Sequence, residues 1–194
     1  MTHIIICGLK HCGKSTKGRI LAERLNWLFA DLDDLILEEI SQSSIREFYR
    51  ECGVQSFQDQ EALAAEKFLR KNLNQNWILA LGGGTIENSS AMKALNPVIP
   101  DSGIQGTGKL KEILKPTMIY LQEEPAVLFE RIQWRGLPPF LDQKNPLHSF
   151  TKLYKKRHPL YLEVADIIAV QGKRSIESEV DELEKLIRSI NHGR

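Results

Sequence analysis

Apolar positions along the chain fall into short compact runs separated by longer amphipathic stretches. The runs His3–Cys7, Trp27–Ala30, Trp77–Leu81, Thr117–Leu121 and Ile167–Val170 are almost wholly apolar, the pattern of strands covered on both faces. Between them, apolar residues recur at helical spacing over Lys14–Asn26, Leu32–Glu39, Ile45–Glu51, Phe57–Asn72, Ser89–Leu95, Pro125–Trp134, Leu147–Val164 and Ser175–Ile190. Strand and helix in alternation predict βαβ units, and hence a parallel sheet with helices on both faces: an α/β fold. No internal repeat or low-complexity segment interrupts the series.

Two segments break the rhythm. Asn96–Leu110 holds Pro97, Pro100, Gly103, Gly106 and Gly108 and reads as a long loop or insertion. Arg135–Pro146 holds Gly136, Pro138, Pro139 and Pro146 between two helices. It reads as a mobile lid or as an ordinary surface loop.

Composition narrows the class. A chain of 194 residues suits one domain, residues 1–194, that buries a full core without staples. Hydrophobic residues make up 42% and charged residues 26%, with a net charge of +1, so no nucleic-acid or anionic-membrane partner is expected. No apolar run reaches the length of a membrane span, and the first residues lack the basic segment of an export signal. The three cysteines, Cys7, Cys12 and Cys52, are sparse and odd in number, which suits a reducing, cytoplasmic compartment. No Cys/His cluster has zinc spacing, so no structural metal is expected.

The chemistry starts at Gly8-Leu9-Lys10-His11-Cys12-Gly13-Lys14-Ser15, which fits G-x-x-x-x-G-K-[ST]. A predicted strand precedes Gly8 and a predicted helix follows Lys14. Such a loop turns backbone N–H groups onto phosphates, and the helix N-terminus adds positive potential. ATP and Mg²⁺ are therefore the expected ligands, held by Gly8, Lys10, His11, Cys12, Gly13, Lys14, Ser15 and Thr16. Lys14 is placed to bridge the β- and γ-phosphates and Ser15 to put its hydroxyl on the metal. Gly103–Lys109 repeats the G-x-x-x-x-G-K spacing but ends in Leu110, without the hydroxyl, after two prolines; it reads as a flexible loop. Cys12 is either a thiol whose modification blocks ATP or an inert small residue that fits the loop.

Further carboxylates and glycines follow predicted strands. Asp31 and Asp33 come directly after Trp27–Ala30, at the strand end where ligands of a parallel sheet collect. Extended alternation puts them on one side, with one carboxylate on the metal and the other on an attacking hydroxyl. The alternative is a helix N-cap with an acidic first turn. Gly82, Gly83 and Gly84 follow Trp77–Leu81 and let a ligand approach the backbone closely.

Together these pieces resemble the shikimate kinases. The resemblance rests on GLKHCGKST, on F-x-D-x-D at Phe29–Asp33, and on Gly53 with Phe57 and Glu61. It is completed by LGGG at Leu81–Gly84 and by Lys156-Arg157-His158-Pro159-Leu160-Tyr161. It implies a three-layer αβα P-loop kinase with a five-stranded parallel sheet in order 2-3-1-4-5. It also implies an acceptor-binding segment near residues 32–72, a lid near 135–146 and a monomer. The implied reaction moves the ATP γ-phosphate to a hydroxyl of a small cyclic hydroxy acid. By the same resemblance Lys14 stabilises the transferring phosphate, Ser15 and Asp31 serve magnesium, and Asp33 binds the acceptor hydroxyls and acts as base. Gly82, Gly83 and Gly84 line the acceptor site, Arg157 pairs with the acceptor carboxylate, and Arg131 either stacks on adenine or is a solvated helix residue.

The chain departs from that pattern at three places. Gln58 stands where the family usually has an arginine against the substrate carboxylate. Pro138-Pro139-Phe140-Leu141 stands where its lid usually reads R-P-L-L, and His11 where glycine is frequent. Each charge-assisted hydrogen bond contributes roughly 1.5–3 kcal/mol, so losing both arginines without a substitute costs roughly two to four decades in affinity or rate. Lys10, His11, Arg46, Arg50, Arg135 and Lys144 are candidate substitutes, each with a solvated surface role as its alternative. Three functions stay open: a shikimate kinase with a rebuilt carboxylate clamp, a kinase of the same fold for another hydroxylated metabolite, and a nucleotide-binding module without catalysis.

Overall fold

The computed structural model describes residues 1–95, 115–138, 140–172 and 174–192. The expected loop at Asn96–Leu110, with its second G-x-x-x-x-G-K, and Pro139 of the expected lid lie outside those residues. Among the described residues, β1 (His3–Cys7), β2 (Leu28–Asp31), β3 (Trp77–Ala80), β4 (Thr117–Gln122) and β5 (Ile167–Val170) form one sheet in the order β2-β3-β1-β4-β5. All pairs are parallel, with Ile5 opposite Leu79 on one side and Met118 on the other. That is the order expected from the resemblance. Burial on both faces holds for the central strands, where Ile4, Ile6, Ile78 and Ile119 are fully buried. It fails at the edge, where Val170 of β5 is 60% exposed, because an edge strand has a neighbour on one side only.

The helices are α1 (Lys14–Leu25), α2 (Leu32–Glu39), α3 (Ile45–Lys71), α4 (Ser89–Leu95), α5 (Pro125–Arg135), α6 (Pro146–Val164) and α7 (Ile176–His192). Their starts follow local chemistry. The Asp31 carboxylate accepts from the Asp33 amide at the head of α2. Ser44 accepts from the Glu47 amide at the head of α3, while Glu47 accepts from the Ser43 amide and hydroxyl, a reciprocal cap. Asn145 and Pro146 open α6 in the same spirit, since proline suits the first helical position.

The two helices expected at Ile45–Glu51 and Phe57–Asn72 are present as the two arms of α3, which meet at Gly53, where the backbone leaves the helical region (φ 81, ψ 177). The apolar period lapses over Cys52–Ser56 because that stretch is largely exposed, with Val54 half out in solvent; the backbone stays helical apart from the glycine. Trp77 is the packed core tryptophan, stacked on His3 with ring centroids 4.7 Å apart and edge-on to Phe68 at 5.2 Å. Trp134, for which packing is the commoner role, is 88% exposed. Leu128, Phe129 and Ile132 take the inward face of α5, and Trp134 falls on the opposite one. No helix among the described residues is long and apolar enough to cross a membrane.

The strand order positions the chemistry. β2, β3 and β1 are adjacent, so their carboxyl ends bring Asp31, the Gly82–Gly84 turn and the loop after Cys7 side by side, the place where open parallel sheets bind ligands.

Candidate active site

The loop between β1 and α1 is built around two glycines with positive φ, Gly8 at 146° and Gly13 at 94°. A Cβ on Gly8 would lie 2.9 Å from the Leu121 carbonyl oxygen and 2.8 Å from Cys12 Sγ, so only glycine fits against β4 here. Gly13 caps α1 without any side-chain hydrogen bond, and the first turn carries no acid. The leading N–H groups of α1 therefore keep no side-chain competitor for a phosphate. Lys14 is buried, its Nζ donating to the Gly8 and Leu9 carbonyls at 2.9 and 3.0 Å, so its charge lies over the loop mouth. Cys12 is fully buried with Sγ turned towards Gly8 and 3.9 Å from Lys14 Nζ. That placement suits the small packing residue rather than an accessible thiol.

A second layer fixes this loop from behind. Lys17, next on the buried face of α1, donates to the Cys12 carbonyl at 3.1 Å and to the Gln171 amide oxygen, and pairs with Glu179 of α7 at 2.7 Å. Both charged side chains are 4% exposed. Arg131 of α5 donates to the His11 carbonyl at 3.1 Å and pairs with buried Glu123 at 3.0 Å. His11 itself holds a left-handed φ of 69°. Burial, then the charges of Lys10, Arg135, Lys14 and Arg131, push its imidazole down to about 4, so it is neutral at pH 7. Four cations thus surround one loop, an electrostatic frame that suits a polyphosphate.

Across from the loop, the Ser15 hydroxyl donates to Asp31 Oδ2 at 2.5 Å, while Asp31 Oδ1 accepts from the Asp33 amide at 3.1 Å. Asp31 ends β2 and caps α2; Asp33 lies in the first turn of the helix. The two carboxylates are brought together by the cap and not by extended alternation. A hydroxyl oxygen beside a carboxylate oxygen at a phosphate loop is a hard-oxygen donor set that fits Mg²⁺ with waters completing its shell. Burial first, and the Asp31 charge second, raise the Asp33 carboxyl to about 6, with Lys14 opposing.

The glycine triplet knits these groups to the far wall. A Cβ on Gly82 would lie 2.8 Å from Asp33 Oδ1, and one on Gly83 would lie 3.1 Å from the Lys10 amide nitrogen. The Gly83 carbonyl accepts from Arg157 Nη1 at 2.8 Å and from the Tyr161 hydroxyl at 2.9 Å. Arg157 and Tyr161 lie four apart on α6 and so share a face. Arg157 also meets the Glu87 carboxylate through Nε at 2.7 Å and Nη2 at 2.6 Å, and Lys156 reaches the other Glu87 oxygen at 2.5 Å. Burial pushes Glu87 up, but Lys156 and Arg157 outweigh it and hold the group below the usual carboxylate range. Underneath, buried Glu61 accepts from the Thr85 hydroxyl at 2.6 Å and the Asn88 amide at 2.8 Å, with its carboxyl raised by burial.

The expected residues Gly8, Lys10, His11, Cys12, Gly13, Lys14, Ser15, Thr16, Asp31, Asp33, Gly82, Gly83, Gly84 and Arg157 therefore fall at one end of the sheet. Gln58 is half-buried, with its carbonyl accepting from the Asn88 amide at 2.8 Å. Pro138 is buried, its carbonyl accepting from Leu141 and Gln143, and Leu141 is packed into the core. Arg46, Arg50 and Lys144 are exposed, and Arg50 lies against Glu47 and Glu51. Sequence reasoning missed Glu87, Lys17, Glu179 and Glu123. Only Tyr161 carried a signal, its spacing from Arg157.

The family model described as shikimate kinase matches residues 10–188. A shikimate kinase of Chlamydia pneumoniae is 31% identical, with 96% of this chain and 99% of that protein covered. One from Symbiobacterium thermophilum is 30% identical over 95% of each. The solved structure of an Acinetobacter baumannii shikimate kinase in complex with shikimate superposes with a TM-score of 0.79 at 24% identity, covering 97% of this chain and 94% of that one; at that identity it supports the fold. A family model spanning most of the chain, full-length relatives and the same sheet order agree: the chain belongs to the shikimate kinase family.

Proposed function

We propose that the protein transfers the γ-phosphate of ATP to a ring hydroxyl of shikimate. The observation that carries this reading is the lack of room for a Cβ at Gly82 beside the Asp33 carboxylate and at Gly83 beside the Lys10 amide. Both the Asp33 carboxylate and the phosphate loop come close to one glycine turn, which supports a base and a phosphate site side by side. Gly8–Thr16 holds the triphosphate, with Lys14 on its β- and γ-groups and Arg131 beside the base. Ser15 and Asp31 would hold magnesium, which would neutralise charge on the phosphate oxygens. Asp33 orients the acceptor hydroxyl and takes its proton, and its raised pKa suits a base working near neutrality. The hydroxyl oxygen bonds to the γ-phosphorus as the bond from phosphorus to the β–γ bridging oxygen breaks, giving ADP and a phosphate ester. Arg157, fixed by Glu87, faces the acceptor carboxylate with its remaining N–H groups. The chain works as one domain, with residues 32–72 forming the acceptor wall and 135–146 closing as a lid that excludes water.

Phosphorus NMR of reactions with Mg-ATP and a panel of cyclic hydroxy acids and polyols tests the acceptor. A phosphate-ester resonance with shikimate, and a much weaker one with polyols lacking a carboxylate, supports the reading. Equal phosphorylation of uncharged polyols would exclude it.

A further inference from the structure

Phosphoryl transfer depends on positive charge lying between donor and acceptor as the bond to the leaving oxygen breaks. Most of the cations around this site already have partners. Lys14 is held by the Gly8 and Leu9 carbonyls, Lys17 by Glu179 and Gln171, Arg131 by Glu123 and the His11 carbonyl, and Arg157 by Glu87 and the Gly83 carbonyl. Lys10 is different. It is exposed and makes no hydrogen bond or ion pair among the described residues. Its backbone amide lies 3.1 Å from the position a Gly83 Cβ would take, one residue along from Gly82, where a Cβ would lie 2.8 Å from Asp33 Oδ1. After burial, its charge is the next cause that pushes the His11 imidazole down. An unengaged lysine thus leaves the phosphate loop beside the glycine turn, on a stem long and flexible enough to reach across it.

We propose that Lys10 is a catalytic residue of this enzyme, placing its ammonium on the oxygens of the phosphoryl group in transit between ATP and the acceptor held by Asp33 and Gly82–Gly83. This rests on the phosphotransferase reading above and adds to it a residue outside the G-K-[ST] signature. Lys10 moves no proton. The phosphorus gains the acceptor oxygen and loses the bridging oxygen, and the acceptor's proton goes to Asp33. What Lys10 contributes is charge: it holds the equatorial oxygens more strongly at the transition state than in bound ATP.

The test compares the wild type with Lys10→Ala and Lys10→Arg, two changes at an exposed position. Turnover of Mg-ATP with shikimate gives kcat and KM. Binding of Mg-ADP with and without aluminium fluoride, a planar mimic of the phosphoryl group, gives a readout that needs no acceptor. The expected result is a fall in kcat of about tenfold to a hundredfold in Lys10→Ala, with KM for ATP within about threefold and partial rescue by arginine. Mg-ADP affinity stays unchanged, while the fluoride-dependent tightening seen in the wild type drops in Lys10→Ala by about tenfold or more. Wild-type tightening that depends on Lys10, without shikimate turnover, overturns the acceptor and upholds the inference. Turnover with Lys10→Ala within about twofold of wild type, or the same fluoride response in wild type and Lys10→Ala, overturns the inference whatever the acceptor.

Discussion

Arg157 meets Glu87 through two nitrogens, with Nε at 2.7 Å and Nη2 at 2.6 Å from the same carboxylate oxygen. The pair fixes a guanidinium beside the Gly82–Gly84 turn that follows β3, where the proposed function puts the acceptor carboxylate. Charge-assisted bonds of this kind contribute roughly 1.5–3 kcal/mol each. Arg157→Ala is expected to lower kcat/KM for shikimate by about tenfold to a hundredfold. Glu87→Gln, which loosens the guanidinium without removing it, should raise KM for the acceptor by several-fold and change KM for ATP little. Steady-state kinetics on both substrates checks this; an ATP-specific defect in Glu87→Gln would place Arg157 on the nucleotide instead.

Asp33 gives the pH dependence a definite sign. Its carboxyl titrates at about 6 in the folded protein against an ordinary 3.8. A base must be ionised, so kcat/KM should fall as pH drops below about 6. Stability runs the other way. Between about pH 4 and 6 the folded state keeps a proton that the unfolded state has lost, so stability decreases as pH rises through that window and stays lower above it. Asp33→Asn should therefore be more thermostable than wild type at pH 8, with the gap closing at pH 4, while losing about two to four decades of turnover. Thermal melts at the two pH values, beside a pH–rate profile, measure both arms.

The glycine turn tests the close approach of wall and loop. Gly82→Ala would place a methyl 2.8 Å from Asp33 Oδ1, and Gly83→Ala would place one 3.1 Å from the Lys10 amide. The first meets the end of a side chain that can move. The second meets backbone that has to shift. Gly82→Ala should raise acceptor KM, and Gly83→Ala should weaken both substrates; calorimetric titration of Mg-ADP and shikimate separates the two effects.

The buried pair behind the phosphate loop makes a prediction about stability. Lys17 and Glu179, both 4% exposed and 2.7 Å apart, join α1 to α7. Lys17→Met leaves Glu179 buried and uncompensated and should cost about 3–5 kcal/mol. The double change Lys17→Met/Glu179→Leu should regain most of that, as apolar replacements of buried pairs do. Urea unfolding of the two singles and the double closes the cycle.

Much of this was legible in the chain. The loop Gly8–Ser15 and the meeting of Asp31, Asp33 and Gly82–Gly84 follow from local pattern, because strand ends in a parallel sheet converge on one edge; the strand order was legible only through the resemblance to the shikimate kinases. The reason for the Asp31–Asp33 pairing was not legible, since a helix cap and an extended alternation leave the same two letters apart. Glu87 could not be foreseen as the partner of Arg157, because 70 residues separate them and no periodic signal links a 3₁₀ turn to a helix. Lys17 carried no signal in the sequence, because its burial depends on Glu179 arriving from the far end of the chain. The break between the two arms of α3 was legible, because apolar spacing lapses over Cys52–Ser56 and Gly53 supplies the positive φ at which the arms meet.

The central claim is that these groups together phosphorylate shikimate although Gln58 and Pro138 stand where the family usually places arginines. A coupled ADP-release assay with Mg-ATP, run with and without shikimate, addresses it most directly. Saturable ADP release that depends on shikimate is the predicted result. Tight ATP binding with the same slow release whether or not shikimate is present would contradict it.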